Sequence, residues 1–129
     1  MEKGYFISAK IVPKPTKFGL GVFVKPSASI LCEEVIEVSP YSHCYAEPWV
    51  NVCESLRKIV FSYPQNTDNY VIGLGYTSLY NHSDTNNAYW TTNEYGIVIA
   101  ATRNILENEQ IFIHYGDAYW SGGWQKESL

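Results

Sequence analysis

The segment Gly73-Leu74-Gly75-Tyr76-Thr77-Ser78-Leu79-Tyr80-Asn81-His82-Ser83 carries most of the information about the fold of this 129-residue chain. It follows the apolar residues Tyr70-Val71-Ile72, which predict a strand, and its glycines indicate that the strand ends in a loop. Glycines at such a junction let a ligand approach the backbone closely. Considered alone, however, Asn81 is most simply a turn residue and His82 a structural histidine.

Two further segments complete the pattern. Gly19-Leu20-Gly21-Val22-Phe23 predicts a tight turn entering a strand, and it lacks the third, helix-opening glycine of a dinucleotide-binding loop. Glu109-Gln110-Ile111-Phe112-Ile113-His114-Tyr115-Gly116 predicts an apolar strand that ends in a tyrosine and a glycine. Each segment alone fits an ordinary β-rich protein, in which Tyr115 would be a buried strand tyrosine.

Composition narrows the class of protein. At 46% hydrophobic residues the chain can build one core, and we expect a single domain. The sequence contains neither an apolar run of roughly 18 residues nor a secretory signal, so we expect no membrane association. A net charge of −4 argues against general nucleic-acid binding. The three cysteines form no C-x-x-C pair, which favours reduced thiols in an intracellular protein and predicts no metal site.

The remaining local patterns predict short elements. In the first half we expect a strand over 5–12 that ends at Pro13 and Pro15, and a half-exposed strand over 34–38. A helix should follow over roughly 48–57, with strand character at 59–61. In the second half we expect a hairpin of strands 88–92 and 97–102 and a left-handed turn residue at Asn108. Together they predict a β-rich α+β domain of many short strands.

In order and spacing, the three segments resemble the signature segments of the SET-domain protein lysine methyltransferases. The resemblance covers roughly residues 5–121 and leaves 122–129 as a tail, so residues 1–129 would form a single SET domain. It implies a β-clip-like fold of several small sheets with one or two short helices and a pseudoknot-like threading of the C-terminus. The Tyr-Gly-Asp-x-Tyr-Trp ending at 115–120 is similar to that of compact viral and bacterial members, among them a small chlorella-virus SET protein.

The chain departs from the family pattern at two positions in the described motifs. Asn86 stands where the family often has a proline before the asparagine that Asn87 matches. Glu33 replaces a common turn glycine, which would cost about 1 kcal/mol if that position needs a positive φ. The cysteine-rich zinc-binding tail of many eukaryotic members is absent from this sequence.

The resemblance also implies roles for individual residues. Tyr115 would be the catalytic tyrosine, at the border of a channel that joins the cofactor and the substrate. Tyr76 and Tyr119 would line the lysine channel. The residues that would bind the cofactor are Phe18, Gly19, Leu20, Gly21, Tyr80, Asn81, His82, Tyr115 and Trp120. Whether Trp120 or Trp124 covers the cofactor is left open by the sequence.

The implied reaction is methyl transfer from S-adenosylmethionine to a lysine side chain. A neutral amine must attack, although the pKa of a free lysine is about 10.4. Desolvation in a narrow aromatic channel and repulsion by the sulfonium cation would both lower that pKa, so that no strong dedicated base is needed. Tyr115 would then orient the amine rather than remove a proton.

The implied substrate is a protein or peptide with an accessible lysine, such as a histone tail or another basic protein. A homodimer is one option for the assembly. The expected location is intracellular, in the cytoplasm of a bacterium or in the host nucleus for a virus. Two alternatives stand beside the enzyme: a non-catalytic SET-like module that binds a lysine-containing peptide, and an unrelated small β-rich interaction protein.

Overall fold

The computed structural model describes residues 4–44, 60–62 and 70–114, of which 43, 44, 60–62 and 70 are described by their backbone. The strands in this part of the chain are β1 (Phe6–Ile7), β2 (Ile11–Thr16), β3 (Gly19–Val24), β4 (Val35–Ser39), β5 (Tyr41–Cys44), β6 (Val60–Ser62), β7 (Tyr70–Gly73), β8 (Asn81–His82), β9 (Ala88–Asn93), β10 (Gly96–Ala101) and β11 (Gln110–Ile113). Thr77–Leu79 forms a single 3-10 turn between β7 and β8.

The strands form three small sheets. Their orders are β1-β4-β10-β9, β2-β3-β11-β8 and β5-β7-β6. The expected β-rich fold of several small sheets is therefore confirmed, with almost no helix among the described residues. The helix predicted over 48–57 lies outside them. No helix in the described ranges is long and apolar enough to cross a bilayer.

The first predicted strand is in fact two strands, because a turn at Ala9 and Lys10 separates β1 from β2. The prediction that Pro13 and Pro15 end a strand was wrong, since β2 runs through both. Among the described residues, β2 is the edge strand of its sheet and pairs only with β3. The two prolines are two residues apart, so both nitrogens face the same side of the strand, and an edge strand tolerates prolines whose nitrogens face away from its neighbour.

The glycine segment lies slightly later in the hairpin than predicted. The turn consists of Lys17 and Phe18, and Thr16 pairs with Gly19 at the start of β3. Gly19 and Gly21 therefore belong to the strand itself. The correction matters because a strand, unlike a free loop, fixes the direction in which the backbone of 19–21 faces the neighbouring strand.

The strand predicted to be half exposed, β4, is almost entirely buried. It lies between β1 and β10, and the residues of β10 are all buried as well. The prediction of a half-exposed strand was wrong because it assumed that the charged residue Glu37 faces solvent, whereas Glu37 is completely buried. The predicted hairpin is confirmed, as β9 and β10 pair in antiparallel register from Ala88↔Ala101 to Asn93↔Gly96.

Branched aliphatic side chains supply most of the core. The buried cluster comprises Ile11, Val22, Val24, Ile30, Ile36, Val71, Tyr80, Ala88, Ile97, Ile99, Ala101, Ile105, Ile111 and Ile113. Such residues suit strands because their stiff side chains pack well on a pleated surface. Since the cluster includes residues of β3, β10 and β11, it joins the sheets behind the segments that the sequence singles out.

Two turns take the conformation that the sequence predicts. Asn108 has φ 65° and Glu33 has φ 70°, both in the left-handed region. Glu33 thus occupies a position where glycine would be unstrained, at a cost of about 1 kcal/mol.

Candidate active site

The candidate site is built around β11, which lies between β3 and β8. β11 pairs with β3 in antiparallel register at Ile111↔Val22 and with β8 in parallel register at Phe112↔Asn81. The parallel pairing is what brings together two motifs that are about thirty residues apart in sequence. The three segments singled out from the sequence therefore meet in one sheet.

The Asn81 side chain connects the two outer segments directly. Its amide nitrogen donates to Oε1 of Gln110 at 2.8 Å and to the carbonyl oxygen of Leu20 at 3.4 Å. Gln110 is a residue that the sequence reasoning missed, because a polar residue that begins an apolar strand gives no distinguishing signal.

Because Gly21 has no side chain, the side chains of Asn81 and Gln110 can occupy the space beside it. A Cβ at position 21 would lie about 3.0 Å from the Asn81 amide nitrogen and from Cγ2 of Thr16, and closer still to the Gln110 side chain. Side chains rarely approach a Cβ so closely. The glycine is therefore required by the close packing of the β3 backbone against Asn81.

Asn87 fastens β11 from the other side. This buried residue donates from its amide nitrogen to the Gln110 carbonyl at 2.9 Å, and its Oδ1 accepts from the Phe112 backbone N–H at 2.8 Å. Its own carbonyl accepts a hydrogen bond from the Thr102 N–H. Asn87 matches the family pattern. In the structure, its hydrogen bonds to the backbone of Gln110 and Phe112 hold β11 in place.

Glu37 forms a buried polar centre next to the segment 73–83, and sequence reasoning did not detect it. Its Oε2 accepts from the Ser39 hydroxyl at 2.6 Å and from the Tyr76 backbone N–H at 2.8 Å. Its Oε1 accepts from the Tyr80 hydroxyl at 2.7 Å. These three donors compensate for the loss of water around a carboxylate that is 0% exposed.

Gly75 makes this approach possible. It has φ +78°, and a Cβ there would lie 2.6 Å from both Oε2 of Glu37 and Oγ of Ser39. Both the backbone conformation and the lack of space therefore make any larger residue at position 75 unfavourable. Gly75 therefore leaves the room that the buried Glu37 carboxylate needs.

Burial changes the acid–base behaviour of this pair. It raises the pKa of Glu37 above the ordinary glutamate value, and the hydrogen bonds from Ser39, Tyr80 and Tyr76 offset part of that rise. Burial, together with the nearby Glu37 charge, raises the pKa of Tyr80 well above the usual tyrosine value. The Tyr80 hydroxyl therefore remains protonated and serves as a donor.

The structure places Tyr80 in the core rather than in an open cleft. Its side chain is 1% exposed and its hydroxyl donates to Glu37. A cofactor that binds from solvent would therefore contact the backbone of Tyr80 and not its side chain. Tyr76, predicted to line the lysine channel, is partly buried against the core, and its backbone is fixed by Glu37.

The remaining predicted residues of the β2–β3 hairpin lie near the surface. Phe18 is partly buried, its N–H donates to Oγ1 of Thr16 at 3.0 Å, and the Lys17 ammonium lies 5.0 Å from the centroid of its ring. Leu20 is exposed, although its carbonyl faces Asn81. The hairpin therefore presents apolar side chains beside the Asn81 contact.

His82 is buried next to Asn81, with a carboxylate partner. Its Nε2 lies 3.1 Å from Oδ1 of Asp84, and the His114 ring stands edge-on to it at a centroid separation of 4.6 Å. The Ser83 N–H donates to the Ile113 carbonyl at 3.0 Å and so extends the β8–β11 pairing. Tyr115, Tyr119 and Trp120, along with Trp124, lie outside the described residues, so the positions predicted for them stay predictions.

Comparison with known proteins agrees with this arrangement. The SET domain family model matches residues 12–116. A crystal structure of a Plasmodium falciparum protein, provisionally assigned as a histone methyltransferase, is similar at a TM-score of 0.71 and 29% sequence identity, over 88% of this chain and 99% of that one. A search of curated protein sequences found no significant match.

The family match covers most of the chain, including all three segments that meet at β11. Together with the structural neighbour, it supports a lysine methyltransferase at the level of the family. The chain belongs to the SET-domain family.

Proposed function

We propose that this chain is a protein lysine N-methyltransferase that uses S-adenosylmethionine. The observation that supports this most strongly is the meeting of the Gly19–Gly21 strand, the Asn81-His82 pair and β11 within hydrogen-bonding distance. This meeting occurs inside a family match that extends to residue 116. SET-domain methyltransferases generally use this cofactor.

The residues at this meeting point fit such a cofactor. The Asn81 amide provides a polar group beside the exposed residues Gly19 and Leu20, and the Leu20 side chain provides apolar surface. We assign cofactor contacts to Phe18, Gly19, Leu20, Gly21, the backbone of Tyr80, Asn81, the backbone of His82, Tyr115 and Trp120. When bound, S-adenosylmethionine supplies an electrophilic methyl group.

The chain's own residues would prepare the amine for attack. Tyr115 would orient the lysine nitrogen, while Tyr76 and Tyr119 would form aromatic walls that exclude water. Removing water from an ammonium group lowers its pKa and so favours the neutral, nucleophilic form. Holding the amine in line with the methyl group lowers the entropic part of the barrier. The proposed role of Tyr76 is consistent with a fixed backbone at that position, since the Tyr76 N–H donates to Oε2 of Glu37.

The proposed substrate is a lysine in a basic protein, with a histone tail as one candidate. A net charge of −4 is compatible with such a partner, because opposite charges speed the encounter. We also propose an intracellular location and keep homodimer formation and a compact viral or bacterial type as working hypotheses. All of residues 1–129 would act as one domain.

Two measurements test the enzymatic proposal. Calorimetric titration should show that the purified chain binds S-adenosylmethionine, and incubation of cell lysates with isotopically labelled cofactor should yield methylated lysines detectable by mass spectrometry. Tyr115→Phe should lose most turnover and keep the fold and cofactor binding. Tyr89→Phe, at an exposed position in β9, is the matched control and should keep full turnover.

The alternative function is a non-catalytic module that binds a lysine-containing peptide. Such a module would give no heat with S-adenosylmethionine and would still bind a basic peptide. Cofactor binding without any methylated product, in lysates from several sources, would also count against the enzyme. Unchanged turnover in Tyr115→Phe would remove the role assigned to that tyrosine.

A further inference from the structure

A cluster of two histidines and one aspartate lies at the end of the β8–β11 pairing. Nε2 of His82 is 3.1 Å from Oδ1 of Asp84, and Nε2 of His114 is 3.4 Å from the same oxygen. One ligand atom from each residue lies within 4.8 Å of the other two. The chain has three histidines, and two of them are in this cluster.

The two separations that involve Asp84 match those between neighbouring ligands of one metal ion, and the two histidine nitrogens lie within 4.8 Å of each other. Zinc binds imidazole nitrogen and carboxylate oxygen at about 2.0–2.2 Å, which places neighbouring ligand atoms of a tetrahedral site roughly 3.3 Å apart. The observed 3.1 and 3.4 Å bracket that value. The two rings are edge-on, with planes that meet at 69°, and the Nε2 atoms of both approach the same Asp84 oxygen.

The backbone prepares this arrangement. His82 pairs with Ile113 across the parallel strands, which places it beside the residue that follows, His114. The Ser83 N–H bond to the Ile113 carbonyl holds the next residue of the loop. His82 is buried, whereas Asp84 and His114 are accessible, with side-chain exposures of 57% and 36%. An ion could therefore enter from solvent and keep a water molecule as its fourth ligand.

We propose that His82, Asp84 and His114 bind a divalent transition-metal ion, Zn²⁺ in the first instance. Two imidazoles and one carboxylate form a donor set that suits zinc and its neighbours in the first transition row, whereas Mg²⁺ and Ca²⁺ prefer oxygen ligands. This departs from the expectation of no metal, which considered only cysteine spacing. The inference does not depend on the proposed methyltransferase activity.

The ion would connect the loop after β8 to His114, the residue that follows β11. Asp84 belongs to the exposed loop, and His114 directly precedes Tyr115. Binding of the ion to the folded chain would stabilise this junction, because a ligand that binds only the native state raises its stability. The bound ion would be a structural cross-link between these two segments, next to the hydrogen bonds of Asn81.

The test uses the full chain after removal of metal by a chelator. Calorimetry should show one equivalent of Zn²⁺ bound and no heat with Mg²⁺. Co²⁺ should give visible absorption bands whose intensity indicates tetrahedral coordination. Asp84→Asn and His114→Ala should each lower zinc affinity by about tenfold or more, since even residues that only support metal ligands contribute that much. His43→Ala, which removes the third histidine, should leave affinity unchanged.

Other results would overturn the proposal. Absence of heat with Zn²⁺ and of absorption with Co²⁺ would leave Asp84 as a hydrogen-bonding partner of the two imidazoles. Undiminished binding in the Asp84→Asn/His114→Ala double variant would place the zinc elsewhere. Because Asp84 is exposed, the variants should fold, and circular dichroism without metal checks this. The buried His82 is left unchanged so that loss of folding cannot imitate loss of a ligand.

Discussion

The hydroxyl of Tyr80 lies 2.7 Å from Oε1 of Glu37, and both side chains are buried. The carboxylate belongs to the centre of one sheet, whereas the tyrosine directly precedes Asn81 in another. Through this contact, and through the Tyr76 N–H, Glu37 fixes the segment that leads into the candidate site. A buried acidic group thus supports the position of the Asn81 amide.

Removing the Tyr80 hydroxyl should destabilise the protein. Tyr80→Phe leaves Oε1 of Glu37 without this donor, and a hydrogen bond to a charged group contributes about 1.5–3 kcal/mol. We expect a loss of that size in the free energy of unfolding, measured by urea denaturation. Tyr89→Phe, at an exposed ring, should change stability by less than about 0.5 kcal/mol. Equal losses in the two variants would contradict the assignment.

Glu37 should make stability depend on pH in a direction set by its raised pKa. The folded carboxyl binds its proton more tightly than the unfolded one, so the wild type loses stability as pH rises from about 4.3 to the raised value. Glu37→Gln cannot ionise and should lack this loss. The difference in unfolding free energy between wild type and variant, measured from pH 4 to 8, should shift in favour of the variant as pH rises. A pH-independent difference would show that burial does not perturb this group.

Asn87 should contribute strongly to stability. Asn87 is buried, and Asn87→Ala leaves the Phe112 N–H and the Gln110 carbonyl without their side-chain partners, at a cost of about 2–3 kcal/mol. Asn86→Ala is the matched control, because that amide donates to the Ala88 carbonyl, only two residues along the chain. We expect the control to cost less than half as much in urea denaturation. The reverse order would show that β11 is held by other contacts.

Asn81 should affect cofactor affinity as well as stability, because its amide nitrogen also donates to Gln110 and to the Leu20 carbonyl. Under the proposed function, Asn81→Ala removes an amide next to the bound S-adenosylmethionine, and one lost hydrogen bond weakens affinity by about tenfold. Calorimetric titration would measure this change. Asn86→Ala, five residues further along the chain, should bind the cofactor as the wild type does. Wild-type affinity in Asn81→Ala, with the fold intact, would exclude the amide from the cofactor site.

Gly75 should tolerate no side chain. Gly75→Ala adds left-handed strain of about 1–2 kcal/mol and also places a methyl group against Glu37 and Ser39. Gly4→Ala provides the comparison, because its φ is +90° with no atom within 4 Å of the added Cβ. Thermal unfolding should therefore show a clearly larger loss at position 75 than at position 4. Equal losses would mean that the carboxylate moves aside.

Local patterns in the sequence were sufficient for the hairpin of β9 and β10 and for the left-handed conformation of Asn108. They failed where a neighbouring strand decides the outcome. Pro13 and Pro15 are tolerated because β2 is an edge strand, and sequence periodicity does not reveal which strand lies at an edge. β4 is buried although it contains Glu37, since the compensating donors come from residues distant in the chain.

The sequence was sufficient to identify the motifs that form the candidate site, but not the contacts between their residues. Family resemblance singled out Asn81, and nothing in the sequence indicated that Gln110 would accept from its amide. The clustering of His82, Asp84 and His114 escaped a search based on cysteine spacing, because parallel pairing of distant strands creates it. Such pairings depend on sheet order, which no local window of residues contains.

The parallel contact between β8 and β11 also bears on how the molecule folds. The β2–β3 and β9–β10 hairpins close short loops, whereas pairing of Asn81 with Phe112 requires closure of a much longer one. Long-range closure is entropically slower than hairpin formation. A partly folded chain can thus possess native-like hairpins while the Asn81 contact is still unmade, so ligand affinity should report long-range assembly of the sheet more faithfully than secondary-structure content does.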